Sequence, residues 1–170
     1  YVAGDQVGSG AGETCTASTN CWRIGKYDII TGEADTTSAS FLAAEDTPLT
    51  GANVATASTT RLRILVDETD VAATTTLYQL EYATSTIAGY TGCSNLSTWV
   101  PVANQASSTS YAWKMSPTSQ FANGDTSTDN AGLTNPAGNF RAGVAQDTAS
   151  RISSGIAHSA GEFTELEWSI

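Results

Sequence analysis

Lysine, histidine and charged residues in general are scarce in this 170-residue chain. Lysine and arginine together number 7 against 17 aspartates and glutamates, which gives a formal net charge of −10. Binding to phosphates or to anionic lipid depends on clustered Lys and Arg, so we expect neither nucleic acid nor a membrane surface as a partner. No apolar run approaches the roughly 20 residues that span a bilayer, so we expect no membrane insertion.

A single histidine, His158, leaves little material for nucleophilic catalysis, which needs a base and an orienting acid beside the nucleophile. We interpret it as a loop or surface histidine. Glu165 and Glu167 lie on one strand face at a spacing that a glycosidase could use. We interpret them as surface acids on an exposed strand. The sequence therefore predicts that the protein is not an enzyme.

Three cysteines, Cys15, Cys21 and Cys93, indicate one disulfide and one remaining thiol. The stretch CTASTNC lacks the spacing of zinc and thioredoxin sites. A bond between Cys15 and Cys21 would close a short ring and stabilise the fold by roughly 2 kcal/mol. Cys21–Cys93 and Cys15–Cys93 remain alternatives, and the third thiol is either buried or paired with another chain.

Serine and threonine make up roughly a quarter of the chain, and no window of three turns shows a helical period. Short segments alternate instead between apolar and polar residues. They are CWRIGKYDII, RLRILVD, LYQLEYA, TWVPV, SYAWKMS, NFRAGVAQ, RISSGIAHS and GEFTELEWSI. Seven to nine such strands predict an all-β fold, a two-layer antiparallel β-sandwich that is Ig-like or jelly-roll-like, with long polar loops.

The alternation also predicts which side chains face the core. In RLRILVD, Leu62, Ile64 and Val66 are expected inside, while Arg61 and Arg63 are expected to face solvent. The segments RLRILVD and LYQLEYA lie close in sequence, so we expect them to pair, in antiparallel fashion. GEFTELEWSI keeps its apolar side to the last residue, and we expect it to belong to the sheet of its own domain.

The first twenty residues differ from the rest. Residues 1–20 are rich in Gly, Ser and Thr, with isolated apolar positions at Tyr1, Val2 and Val7. Such a segment cannot bury enough surface to order by itself, so we expect it to act as a donor strand or a subunit-contact arm. Residues 21–170 form the predicted β-sandwich domain. The chain begins at Tyr1 without methionine, and we expect removal of a signal peptide or, alternatively, a piece of a longer protein.

Two loops carry candidate sites. NGDTSTDN supplies hard oxygen ligands from Asn123, Asp125 and Asp129, which makes calcium a possible cofactor although the spacing is not that of an EF-hand. Asn95 begins an Asn-Leu-Ser triplet of the glycosylation type.

Core packing is the default interpretation of the aromatic residues that lie on the apolar sides of the strands. A sugar-binding platform would instead need two or three of them exposed together, such as Trp99 with Tyr90. That arrangement is the basis of a binding-module alternative.

Several stretches together resemble a known group of domains. They are Trp22-Arg23, ASFLAAEDTPLTG at 39–51, RLRILVDET at 61–69, YQLEYA at 78–83, Cys93 with Trp99, and AGEFTELEWSI at 160–170. In order and spacing they resemble a β-sandwich domain of secreted surface proteins from bacteria of the candidate phyla radiation. The resemblance covers about residues 21–170, and it implies a surface β-sandwich and no enzyme activity.

These observations predict an extracellular or cell-surface structural subunit. We expect copies of the chain to assemble into a filament, pilus-like fibre or surface layer through contacts between a strand and a sheet edge. The alternative is an adhesin or carbohydrate-binding module whose partner is a cell-surface glycan or a host cell.

Overall fold

The computed structural model describes residues 22–31, 59–68, 75–83, 99–108, 113–129 and 133–170, with residues 22–31 described as backbone. The strands in these segments are β1 (Trp22–Thr31), β2 (Thr60–Glu68), β3 (Glu81–Tyr82), β4 (Val100–Pro101), β5 (Asn139–Phe140), β6 (Ala145–Gln146) and β7 (Glu162–Ser169). The described segments contain no helix. The described part of the chain is therefore all-β, as the sequence predicts.

Five of the strands form one sheet in the order β1-β2-β7-β5, with β6 also paired to β7. The pairs β1–β2 and β2–β7 are antiparallel, whereas β5 and β6 run parallel to β7. The sheet is thus mixed rather than wholly antiparallel. The register between β1 and β2 shifts between Ile24 and Lys26, so Gly25 occupies a bulge-like irregularity.

The C-terminal segment lies inside this sheet and not at its margin. β7 is flanked by β2 on one side and by β5 and β6 on the other. Beyond its last strand residue, Ile170 and Thr60 exchange two backbone hydrogen bonds of 2.8 Å. The prediction that GEFTELEWSI belongs to its own sheet is confirmed, and these bonds hold the end of the segment in place.

One face of the sheet carries the main apolar core. Leu62, Ile64 and Val66 of β2 and Leu166 and Trp168 of β7 are buried together there, which confirms the predicted inward positions. The residues that pack on them from other segments are Leu80, Val102, Met115, Ile152 and Ile156.

These covering segments are joined by short ladders and single bridges. β3 pairs antiparallel with β4, and isolated bridges join Thr76 to Ile156, Gln79 to Arg151 and Ala103 to Lys114. The expected pairing of RLRILVD with LYQLEYA is wrong, because β2 pairs with β1 and β7. The two segments instead face each other across the core, where Leu80 packs against the cluster.

The opposite face of the sheet holds a second, smaller apolar cluster. Leu65 and Phe163 are buried there with Leu133, and Phe140 packs against them. The rings of Phe140 and Phe163 meet edge to face, with centroids 5.7 Å apart. The strands β2 and β7 are therefore covered on both faces, and their polar side chains on this second face are enclosed.

Candidate functional site

Four charged side chains lie enclosed on this second face. Arg61 and Arg63 project from β2, and Glu165 and Glu167 project from β7. All four side chains are 0% exposed. We call this set the arginine–glutamate cluster. Its formal charges sum to zero.

The contacts within the cluster link all four residues. Arg61 Nη1 donates to Glu167 Oε1 at 3.0 Å. Arg63 donates through Nε to Glu167 Oε2 at 3.0 Å, and its Nη2 lies 2.9 Å from the same oxygen. The Nη1 of Arg63 lies 3.1 Å from Glu165 Oε2. Glu167 therefore serves both arginines, and Arg63 contacts both glutamates.

The cluster corrects two expectations from the sequence. Arg61 and Arg63 were expected to face solvent, and Glu165 and Glu167 were expected to be surface acids on an exposed strand. Both expectations are wrong, because residues 120–128, which we call the covering segment, and Leu133 pack over this face. Transfer of isolated charges into the interior is costly, and opposite partners within 3.1 Å offset that cost.

A cavity of about 260 Å³ lies beside the cluster. Its lining includes Arg63 and Glu167 on the sheet side and Phe121, Asp125 and Thr128 on the covering side. Because Arg63 and Glu167 have no exposed surface, the cavity does not open their charges to solvent. The charges are compensated by each other within the protein.

Ser127 fastens the covering segment to the sheet. Its hydroxyl donates to the backbone carbonyl of Glu165 and accepts from the amide of Gly143 at 3.0 Å. Ser127 is buried, at 4% exposed. One hydroxyl thus satisfies two buried backbone groups at the point where the pairing of β7 passes from β5 to β6.

His158 lies in the loop before β7, but it is buried, so the surface part of its interpretation is wrong. Its Nε2 lies 3.3 Å from the hydroxyl of Tyr78. Burial lowers the pKa of His158; the nearby Glu162 acts in the opposite direction, and Arg141 lowers it further. Burial and the carboxylate of Glu68 raise the pKa of the Tyr78 hydroxyl. Both groups are therefore held in their neutral forms near pH 7.

The residues suggested as calcium ligands have hydrogen-bonding roles in turns. Asp125 Oδ2 accepts from the amide of Ala122 at 2.7 Å. Asn123 Oδ1 accepts from the amide of Thr148 at 3.1 Å. The first bond lies within the turn, and the second joins the turn to a segment 25 residues further along the chain.

Asp129 also bonds within the protein, since both of its carboxylate oxygens lie 3.1 Å from Asn135 Nδ2. Among the described residues no group of three or more His, Cys, Asp or Glu side chains is arranged to hold a metal ion. Calcium binding stays a prediction.

Two tryptophans of the described segments are exposed rather than packed in the core. Trp99 is 43% exposed and Trp113 is 36% exposed. Trp113 lies next to Ala103, and the amide of Ala103 donates to the carbonyl of Trp113 at 3.4 Å. An open groove of about 420 Å³ lies over the strand that follows Trp99 and includes Pro101 and Arg151 in its lining. Core packing was therefore the wrong interpretation for these two aromatics, whereas Trp168 is buried as predicted.

Several predicted site residues lie outside the described residues. They are the subunit-contact candidates Tyr1, Val2 and Val7, the disulfide candidates Cys15, Cys21 and Cys93, and the glycosylation candidate Asn95. The predicted segment 1–20 and the partner Tyr90 of the sugar platform also lie there.

The arginine–glutamate cluster is the feature that reading the sequence missed. A signal for it was present, because Arg61-Leu62-Arg63 and Glu165-Leu166-Glu167 repeat the same charged–apolar–charged pattern with opposite sign. Opposite charges on facing strands form favourable cross-strand pairs. Matching the two patterns would have predicted both the pairing of these strands and the burial of their polar sides.

Comparison of the chain with protein-family models, with curated proteins and with solved structures finds no match. No helix within the described segments has the length and hydropathy needed to cross a membrane.

Proposed function

We propose that this chain is a structural subunit of an extracellular filament or surface layer, which assembles through contacts between a strand of one copy and a sheet edge of the next. The observation that carries the proposal is the position of β1. This ten-residue strand ends the order of the described sheet and is paired to β2 on one side. A long edge strand offers a row of backbone donors and acceptors to an added strand.

The fold suits such a role. The segments that contain β3 and β4 pack over the apolar face of the five-stranded sheet, which supports a two-layer β-sandwich for residues 21–170. In a sandwich, the edges are the places where backbone groups are open to another chain. A contact between two different surfaces of the subunit continues from copy to copy and forms a fibre.

The donor in this proposal is the N-terminal segment, residues 1–20. Its apolar side chains Tyr1, Val2 and Val7 would fill pockets beside the accepting edge, and its backbone would supply the hydrogen bonds. β7 is a poor donor, because it already lies between other strands of its own sheet.

Matched charge variants of the full chain test this function. In Val2→Asp with Val7→Asp, two acids replace the apolar contacts, and we expect filaments to disappear from negative-stain images. In Gln6→Asp with Ser9→Asp, the same charge is added at polar positions, and we expect filaments to remain. Loss of filaments in both variants, or in neither, contradicts the proposed contact.

A second candidate function is supported by the exposed tryptophans. Trp99 and Trp113, with the groove lined by Pro101, supply the kind of exposed aromatic surface that a carbohydrate-binding adhesin uses. Binding to a glycan array that is lost in Trp99→Ala and Trp113→Ala, but kept in Val2→Asp with Val7→Asp, would favour this function over assembly. A silent array would exclude it for the glycans tested.

A further inference from the structure

The arginine–glutamate cluster lies in the antiparallel ladder that pairs β7 with β2. Arg63 is directly opposite Glu167 in the register between β2 and β7. Arg61 is opposite Ser169, and Glu165 is opposite Leu65. The contacts of Arg61 with Glu167 and of Arg63 with Glu165 therefore cross the ladder diagonally.

We infer that this cluster is a strand-pairing lock: it determines which face of β7 meets the core and that β7 pairs with β2 of its own chain. Removal of β7 would leave two arginines inside the fold without their carboxylates. A buried charge that loses its partner is strongly destabilising. A strand can replace β7 only if it brings two acids at the same spacing.

The lock also excludes a slip by one residue. Such a slip would turn Glu165 and Glu167 towards the apolar core and would turn Leu166 and Trp168 towards Arg61 and Arg63. A slip by two residues keeps opposite charges in contact, so the other face must oppose it. There Leu62 is paired with Trp168, and the indole Nε1 of Trp168 donates to the carbonyl of Ser150 at 3.0 Å.

The role inferred for the cluster is pairing specificity rather than stability. Replacement of a complete buried ion cluster by apolar residues is often neutral or stabilising, whereas loss of one partner is costly. Removal of all four charges together therefore distinguishes the two roles. A cluster that contributes only to stability would leave the pairing of β7 unchanged, whereas loss of a pairing lock would allow more than one pairing.

The first test replaces all four residues by methionine: Arg61→Met, Arg63→Met, Glu165→Met and Glu167→Met in the full chain. We expect this variant to fold, but with more than one set of backbone amide resonances for residues 162–169, or with exchange of β7 between copies at high concentration. The unaltered chain is expected to give one set. One set of resonances in the methionine variant, with the register of the unaltered chain, overturns the lock.

The second test remains informative if the methionine variant does not fold. Glu165→Arg with Glu167→Arg places four arginines together, and we expect the folding equilibrium constant to fall by on the order of a hundredfold or more. Adding Arg61→Glu and Arg63→Glu reverses every charge and restores each opposite pair. We expect this full inversion to recover most of the loss and to give one set of β7 resonances. Failure to recover contradicts pairing by charge.

The consequence for assembly rests on the proposed function: a filament of these subunits would not exchange β7, and each copy would keep its own C-terminal strand. The two tests use the isolated chain, so the lock and the proposed function can fail separately. If the chain forms no filaments but the methionine and charge-inverted variants behave as expected, the lock is supported and the proposed function is not. If filaments form but the variants pair β7 just as the unaltered chain does, the proposed function is supported and the lock is not.

Discussion

Arg63 and Glu167 face each other across the β2–β7 ladder, with contacts of 2.9 and 3.0 Å between guanidinium and carboxylate and no exposed surface on either side chain. This pair joins the segment from residue 60 to 68 to the end of the chain, roughly a hundred residues later. The sheet at the centre of the fold therefore depends on contacts between distant parts of the sequence. The main apolar core lies on one face of these two strands, and the charged cluster lies on the other face together with the smaller apolar cluster.

Replacement of one carboxylate in the cluster is expected to destabilise the fold strongly. Glu167→Gln leaves Arg61 and Arg63 buried without the carboxylate that both contact, so we expect a loss of about 3–5 kcal/mol in the free energy of unfolding. Urea denaturation measures it. The matched control is Glu81→Gln on the exposed part of β3, where we expect a change within about 0.5 kcal/mol. Equal effects at the two positions would contradict the role of the cluster.

Loss of the Ser127 hydroxyl is expected to loosen the covering segment. Ser127→Ala removes the hydrogen bonds to the carbonyl of Glu165 and the amide of Gly143 and leaves both backbone groups buried. We expect a loss of about 1–3 kcal/mol in the free energy of unfolding. Ser119→Ala at an exposed position is the control and should be close to neutral. Hydrogen exchange at Gly143 that stays as slow as in the unaltered chain would refute the assigned contact.

Stability is expected to depend on the protonation of His158. Burial holds its pKa in the folded state below the ordinary value of 6.5. Between these two pKa values the unfolded chain binds more protons than the folded chain, so stability falls as the pH drops from 6.5 towards the folded value and levels off below it. Above pH 6.5 His158 is neutral in both the folded and the unfolded chain, so this loss of stability is absent.

The comparison that isolates this effect is His158→Gln, whose side chain does not titrate. Thermal unfolding across the same pH range should show a steeper loss of stability on acidification in the unaltered chain than in the variant. Parallel curves for the two proteins would show that His158 does not contribute.

Assembly is expected to strengthen with salt. Each copy carries a formal net charge of −10, so copies repel one another at low ionic strength. The Debye length falls from about 30 Å at 0.01 M to about 10 Å at 0.1 M salt, which screens that repulsion. Light scattering at fixed protein concentration should rise over this range. A decrease with added salt would mean that attraction between opposite charges, rather than backbone pairing, holds the copies together.

The local patterns of the sequence predicted much of the central sheet. The alternation in residues 61–67 and 161–170 identified both strands and their apolar sides, because burial of alternate side chains leaves a period of two. It failed on the other side of these strands, where Arg63 and Glu167 were assigned to solvent. Charged residues are usually exposed, and here the opposite charges of a strand distant in sequence offset the cost of burying them.

Other features depended on contacts that no local pattern contains. The parallel direction of β5 and β6 beside β7 follows from how the chain returns to the sheet, not from the composition of residues 139–146. Trp113 and Met115 are two residues apart in the alternating segment SYAWKMS, yet Met115 is buried and Trp113 is exposed. Both residues bond to the backbone of Ala103 in a single parallel bridge, so the spacing of two alone does not predict that both side chains are buried.

The most direct test of strand-to-edge assembly is cross-linking between copies labelled with different nitrogen isotopes. The chain has two lysines, Lys26 in β1 and Lys114 in a different segment, and Asp5 lies in the proposed donor. After a short carboxylate-to-amine cross-linker is applied to mixed ¹⁴N and ¹⁵N protein, strand-to-edge assembly predicts Asp5–Lys26 peptides that carry both labels. Asp5–Lys26 peptides that always carry a single label, or cross-links from Asp5 to Lys114 alone, would contradict it.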